Sequence, residues 1–137
     1  MRFRASFCDP FQPEIIELKG ITTAAEALSF FQQVPWLNYL ERMAGASHDA
    51  IFYAPSFEVE NQANQHGLSI SVAGEPQEYE FYVFYKRPKK VRKLFGLVEV
   101  LHPNYLSEIH GQTLQEAGEY LNALLRNDLD YLTTRVP

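Results

Sequence analysis

Residues 78–101 read EYEFYVFYKRPKKVRKLFGLVEVL, and this stretch decides the fold. In its first ten residues Tyr79, Phe81, Val83 and Tyr85 recur at every second position, which is the period of a β-strand. A proline and two lysines then separate this run from a second apolar run, a composition typical of a hairpin connection. The sequence therefore predicts two antiparallel strands over 78–87 and 91–101, with Pro88 in the turn.

More strands are predicted before this hairpin. Residues 3–7 alternate apolar and polar side chains, as expected of an edge strand, and the same period recurs within 51–60 and over 68–72. A shorter apolar run at 14–19 also permits a strand. We therefore expect an antiparallel sheet of four to six strands.

Two helices are predicted by capping boxes, in which a threonine and a glutamate three residues later satisfy each other's first-turn amides. Thr23 and Glu26 open the first helix, and Thr113 and Glu116 open the second. Apolar residues follow each box at three-to-four spacing, which predicts one buried stripe per helix. Because proline disrupts a helix interior, we expect a kink at Pro35 in the first helix.

These elements define the fold class as α+β, in the order β-α-β-β-β-β-α. With 137 residues and 46% hydrophobic side chains, residues 1–137 are predicted to form a single globular domain with one core. Both helices are expected to pack on one face of the sheet. The other face is then left for solvent or for a partner.

The charge distribution is uneven. Six of the twelve basic residues lie in one eight-residue stretch of the predicted hairpin, 86–93. They are Lys86, Arg87, Lys89, Lys90, Arg92 and Lys93. The rest of the chain holds 6 basic against 17 acidic residues. A basic loop on an acidic body suits a protein partner or an anionic ligand, but it equally suits a solvated hairpin that resists edge aggregation.

Aromatic residues of the hairpin suggest a contact surface beside these charges. Tyr82 and Phe84 share one side of their strand, and pairing Lys86 with Val91 would add Phe95 to the same side. An aromatic patch rimmed by charge has the composition of a protein-binding surface. Burial of this patch by another part of the chain is the competing interpretation.

Catalytic and cofactor signatures are absent from the sequence. Ser47, His48 and Asp49 spell a hydrolase triad in consecutive letters, yet adjacent side chains diverge, and triads converge from distant segments. The four histidines lack ligand spacing, and Cys8 is the one cysteine, so no metal or cofactor is expected. Whether the protein is an enzyme stays open, and the sequence favours a non-enzymatic protein.

The favoured function is an interaction module that binds another protein through Tyr82, Phe84, Phe95 and the six basic residues. The same aromatic face is a candidate for a homodimer. An alternative is a small-molecule binder or modest hydrolase, with a pocket at the kinked helix lined by Trp36, Tyr39 and Tyr53. A further alternative, nucleic-acid binding by the hairpin, is disfavoured because no known motif accompanies the charge.

The compartment is expected to be cytoplasmic. No apolar run approaches the roughly 18 residues of a membrane span, and no signal-peptide pattern opens the chain. A single cysteine also excludes an internal disulfide, as is common in reducing compartments.

Overall fold

The computed structural model describes residues 2–137. Over these residues six strands form one antiparallel sheet in the order β2-β1-β3-β4-β5-β6. The strands are β1 (Phe3–Cys8), β2 (Ile16–Glu17), β3 (Ser56–Asn61), β4 (His66–Glu75), β5 (Glu78–Lys93) and β6 (Val98–Gln112). The helices are α1 (Ala24–Gln33), α2 (Trp36–Ala44), α3 (Leu114–Leu125) and α4 (Leu129–Arg135). The predicted α+β class and antiparallel sheet are confirmed.

The order of elements along the chain is β-β-α-α-β-β-β-β-α-α, which differs from the predicted order. Pro35 separates two helices where a single kinked helix was expected. Val34 adopts an extended conformation, as residues before proline prefer, so α1 ends and α2 begins at Trp36. At the other end of the chain, Asp128 caps α4 over residues for which no element was predicted.

The core is one cluster that combines buried side chains at alternate strand positions with buried side chains of the helices. In β5 the buried hydrophobic residues are Phe81, Val83 and Tyr85, and β1, β3 and β4 repeat the same alternation. All four helices contribute buried residues to this core: Ala27, Phe31, Trp36, Leu40, Ala117, Tyr120, Leu121, Ala123, Leu124, Leu125 and Leu132.

The opposite side of the sheet, here called the outer face, is open to solvent. Its side chains come from the alternate positions of the strands, and all of them except buried Ser71 are exposed or half-buried. The outer face includes Arg4, Ser6, Cys8, Glu17, Ser56, Glu58, Glu60, Ser69, Ser71, Glu80, Tyr82, Phe84, Lys86, Leu106, Glu108 and His110.

The β5–β6 hairpin is longer than predicted, and its register is different. Lys86 pairs with Leu106 instead of Val91, and the turn lies at 94–97. Pro88 is inside β5, at an irregularity where Pro103 and Asn104 both face it. Proline has no amide hydrogen for the sheet ladder, so it is tolerated at such a bulge. The predicted turn at Pro88 is therefore wrong.

Beyond this bulge the hairpin projects from the sheet as a two-stranded arm, residues 88–104. The pairing of β4 with β5 stops at Gly67 and Lys86, so no third strand accompanies the arm. Every residue of the arm is exposed except Pro88 and Val91, which are half-buried.

Candidate functional site

The structure divides the nine residues predicted to bind a partner among three places. Tyr82, Phe84 and Lys86 lie on the outer face. Arg87 lies on the opposite, core side of the sheet. The remaining five lie on the arm: Lys89, Lys90, Arg92, Lys93 and Phe95.

Phe95 does not adjoin Tyr82 and Phe84, because the predicted register was wrong. Phe95 lies at the tip of the arm, eleven residues along the chain from Phe84. At about 3.3 Å per residue this separation is roughly 36 Å. The predicted compact patch is therefore two surfaces, one on the sheet and one on the arm.

Aromatic and charged side chains order the outer face. The Tyr82 ring stacks on His110 with 4.1 Å between centroids, and it lies 6.4 Å from the ring of Phe84. Nζ of Lys86 is 3.3 Å from Oε2 of Glu60. The outer face thus has an aromatic centre and a charged margin, as protein-binding surfaces commonly have.

A groove of about 250 Å³ lies on this face next to the bulge, where the arm leaves the sheet. We call this end of the arm, at the Lys86–Leu106 pair, its root. The outward side chains of Phe84 and Leu106 are the apolar lining of the groove, and Glu58 and Lys86 also line it. Gly67 also lines it and supplies no side chain to fill it. A cavity of about 150 Å³ lined by apolar side chains can hold a benzene ring. This groove is therefore large enough for one aromatic side chain.

The tip of the arm is a tight turn with unusual residues. The amide of Leu97 donates to the carbonyl oxygen of Leu94 at 3.1 Å, and the central residues are Phe95 and Gly96. Their φ angles are 58° and 83°, and Leu94 also has a positive φ of 53°. Bulky residues are rare in this left-handed region, and each costs about 1–2 kcal/mol there. Phe95 is also fully exposed, so no contact within the chain offsets this cost.

Apolar exposure is concentrated on the arm. Six of the twelve large hydrophobic residues exposed in the described chain belong to it: Leu94, Phe95, Leu97, Val98, Val100 and Leu101. A two-stranded ribbon has too little core to stabilise itself well in water. Exposed apolar clusters of this kind commonly mark contact surfaces.

Two of the arm's cations are free for a partner. Lys90 pairs with Glu99 at 3.7 Å, and Nζ of Lys89 lies 4.5 Å from the centroid of the Tyr105 ring. Arg92 and Lys93 form no ion pair with another residue of the described chain. They directly precede the apolar tip.

Arg87 is buried, which corrects the prediction that all six basic residues form one exposed loop. Its guanidinium is sandwiched between the rings of Tyr85 and Tyr105, at 4.3 and 4.7 Å from their centroids. It donates to the carbonyl oxygen of Tyr85, to Oγ of Ser107 and to a main-chain oxygen of Pro137. Burial lowers the pKa of Arg87. This residue anchors the root of the arm to the end of the described chain.

His66 and Tyr85 extend this anchor, and the sequence analysis did not identify them. Nδ1 of His66 lies 2.5 Å from the hydroxyl of Tyr85. Burial, reinforced by the nearby charge of Arg87, lowers the pKa of His66. The alternation that buries Phe81 and Val83 continues to Tyr85 and Arg87, so the signal for this anchor was present in the sequence.

The alternative pocket is not formed by its three predicted residues. Trp36 is buried against the rings of Phe7, Phe31 and Phe81, and Tyr39 packs on Phe7. Tyr53 lines an open groove of about 310 Å³ beside α2, whose lining includes neither Trp36 nor Tyr39.

The remaining sequence features do not assemble into a reactive group. His48 and Asp49 lie in an exposed 3-10 turn, and Ser47 precedes it. Within residues 2–137, no group of three or more His, Cys, Asp or Glu side chains is arranged to hold a metal ion. None of the described helices is long and apolar enough to span a bilayer.

Comparisons with known proteins identify no relative. No protein-family model, no curated protein and no solved structure matches the chain.

Proposed function

We propose that this protein is a non-enzymatic interaction module that holds a partner protein with its arm and outer face. The observation that best supports this proposal is made at the tip of the arm. There Phe95 is fully exposed in a backbone conformation that is unfavourable for it. Strain of this kind persists where the surrounding structure or a function requires it. Contact with a partner is that function here.

The energetics favour burial of the tip by a partner. Moving one phenylalanine side chain from water into an apolar site contributes about 1.5–3 kcal/mol. Leu94 and Leu97 flank Phe95 and are 68% and 85% exposed, so a partner would bury all three together. A small apolar cluster flanked by cations resembles the central anchors and polar rim of known protein interfaces.

A protein partner suits the arm better than a nucleic acid. Arg92 and Lys93 are the two cations of the arm without an intramolecular partner, and the residues that follow them at the tip are apolar. Nucleic-acid binding draws most of its affinity from many cation–phosphate contacts. The acidic body also repels a polyanion, since the whole chain carries a net charge of -5.

The test replaces Phe95 with a photoreactive phenylalanine analogue in cells of the source organism. The matched control places the same analogue at Phe52, which is half exposed and lies outside the arm. We expect illumination to give a discrete protein adduct from position 95 and none from position 52. Equal labelling at both positions, or no adduct at position 95, would contradict the proposal.

A further inference from the structure

We propose that the partner bound by the arm is a second copy of this chain. In this arrangement two arms lie antiparallel with their outer faces in contact, and each Phe95 enters the groove of the other copy. The inference rests on the proposed function, because it uses the arm and the outer face as contact surfaces.

The charges of the two surfaces are complementary. The arm holds four cations and one carboxylate, whereas on the outer face the carboxylates Glu17, Glu58, Glu60, Glu80 and Glu108 outnumber the cations Arg4 and Lys86. On the outer face, Glu17, Glu60 and Glu108 already have partners in Arg4, Lys86 and His110. Glu58 forms no ion pair with a described residue, and it lines the groove. A second copy would bring Arg92 toward it, because Arg92 lies on the same side of β5 as Lys86 and Lys90 by strand alternation.

The position of the groove fits a two-fold arrangement. Lys86 and Leu106 line the groove and also form the last register pair before Arg87 and the bulge, so the groove lies at the arm's root. When two identical arms pack antiparallel, the tip of one necessarily reaches the root of the other. The root-to-tip distance, about 30 Å over the nine residues from Lys86 to Phe95, is then matched by the partner's own length.

The middle of the arm provides an apolar contact on the axis. By strand alternation Lys90 lies on the same side of β5 as Lys86, and its register partner is Leu101. Leu101 is 57% exposed and lies close to the midpoint between root and tip. In the dimer the two copies of Leu101 meet at the two-fold axis, so the same patch serves both subunits.

Pairing of the β6 edges is a less suitable route to a dimer. β6 is a long edge strand, but its pairing with β5 is irregular at two places. Pro103 lies in one of them and offers no amide hydrogen to an added strand. Bulges and prolines are the devices by which proteins prevent edge-to-edge association.

The experiment measures the dissociation constant of the purified protein by analytical ultracentrifugation, with two charge variants. In Arg92→Glu the cation that faces the groove becomes a carboxylate, and in Glu58→Lys the groove becomes basic. We expect each variant alone to dimerise at least about tenfold more weakly, which corresponds to ~1.4 kcal/mol. Mixed together, they regain complementary charges at both contacts, and a heterodimer near the native affinity should form.

The control is Phe52→Asp, which adds a charge outside both surfaces and should leave the dissociation constant unchanged. Circular dichroism establishes that each variant is folded. A native protein that stays monomeric up to about 100 µM, above the micromolar range of many specific complexes, would overturn the inference. Dimers that are indifferent to both charge variants would also overturn it.

Photo-crosslinking separates failure of this inference from failure of the proposed function. With the analogue at position 95 of the purified protein, we expect an adduct of twice the chain mass. An adduct formed in cells with a different protein, and none with a second copy, would overturn the dimer and leave the interaction module standing. Absence of every adduct would contradict both.

Discussion

The two halves of the β5–β6 hairpin have the same backbone pairing and opposite environments. Below the bulge, Phe81, Val83 and Tyr85 are buried in the core. Above it, the large apolar residues of the arm are exposed, apart from the half-buried Val91. A sheet ladder satisfies backbone hydrogen bonds, but it buries side chains only where another layer covers it. The half of the hairpin below the bulge therefore contributes to the stability of the fold, and the arm is available for contact.

The largest expected difference between the two halves comes from one substitution made in each. Phe81→Ala empties a core position beside Trp36 and should lower the free energy of unfolding by about 3–5 kcal/mol. Phe95→Ala removes a fully exposed ring and should change the stability of the monomer by less than about 0.5 kcal/mol. Urea denaturation followed by circular dichroism at low protein concentration measures both. Similar losses would remove the distinction between the two halves of the hairpin.

The buried cation gives the next largest effect. Arg87→Met keeps much of the stem but leaves Oγ of Ser107 and two main-chain oxygens without their donor. We expect a loss of about 2–3 kcal/mol, because unsatisfied buried polar groups are costly. Arg92→Met, on the arm, is the matched control and should lie within about 0.5 kcal/mol of the native protein. A neutral Arg87→Met would mean that the anchor contributes nothing to the root.

Local signals explain why much of the fold was predictable. The capping boxes of Thr23 with Glu26 and of Thr113 with Glu116 form as expected, because each involves residues only three positions apart. Strand alternation likewise located the central strands and their buried faces. By contrast, α4 was missed although Asp128 caps it and Leu132 packs in the core.

The hairpin register was not predictable from the same rules. Pro88 with its two lysines resembles a turn, whereas the actual turn places Phe95 in a left-handed conformation that phenylalanine seldom adopts. Gly96 was the available signal for that turn. The outward position of Tyr82 and Phe84 follows from alternation alone, but the position of Phe95 depends on the turn and was therefore wrong.

The stability of the fold should also depend on pH through His66. Because the folded state lowers the pKa of His66, the unfolded chain binds a proton more readily, so protonation favours unfolding. The contribution is fully present above the ordinary pKa of 6.5 and is lost as the pH falls from there toward the lowered value. We expect the urea concentration at the unfolding midpoint to decrease when the pH is lowered from 7.5 to 5.5. The decrease should be smaller in His66→Gln. Equal pH dependence in both proteins would show that the anchor does not titrate.

The smallest effect is expected at the tip, where a substitution should stabilise the monomer. Asparagine tolerates positive φ better than phenylalanine, so Phe95→Asn should raise the free energy of unfolding by about 0.5–1 kcal/mol. The same change removes the apolar anchor and should weaken dimerisation. A variant that loses stability would show that the phenylalanine ring supports the arm itself.

The burial of Trp36 has a practical consequence for spectroscopy. It is the single tryptophan of the chain, and it lies among the rings of Phe7, Phe31 and Phe81, far from the arm. Its indole nitrogen is buried without a hydrogen-bond partner among the described residues, so its fluorescence emission should lie at short wavelength. Intrinsic fluorescence will then report unfolding of the core and will not respond to binding at the tip of the arm. No engineered label is needed to follow the core.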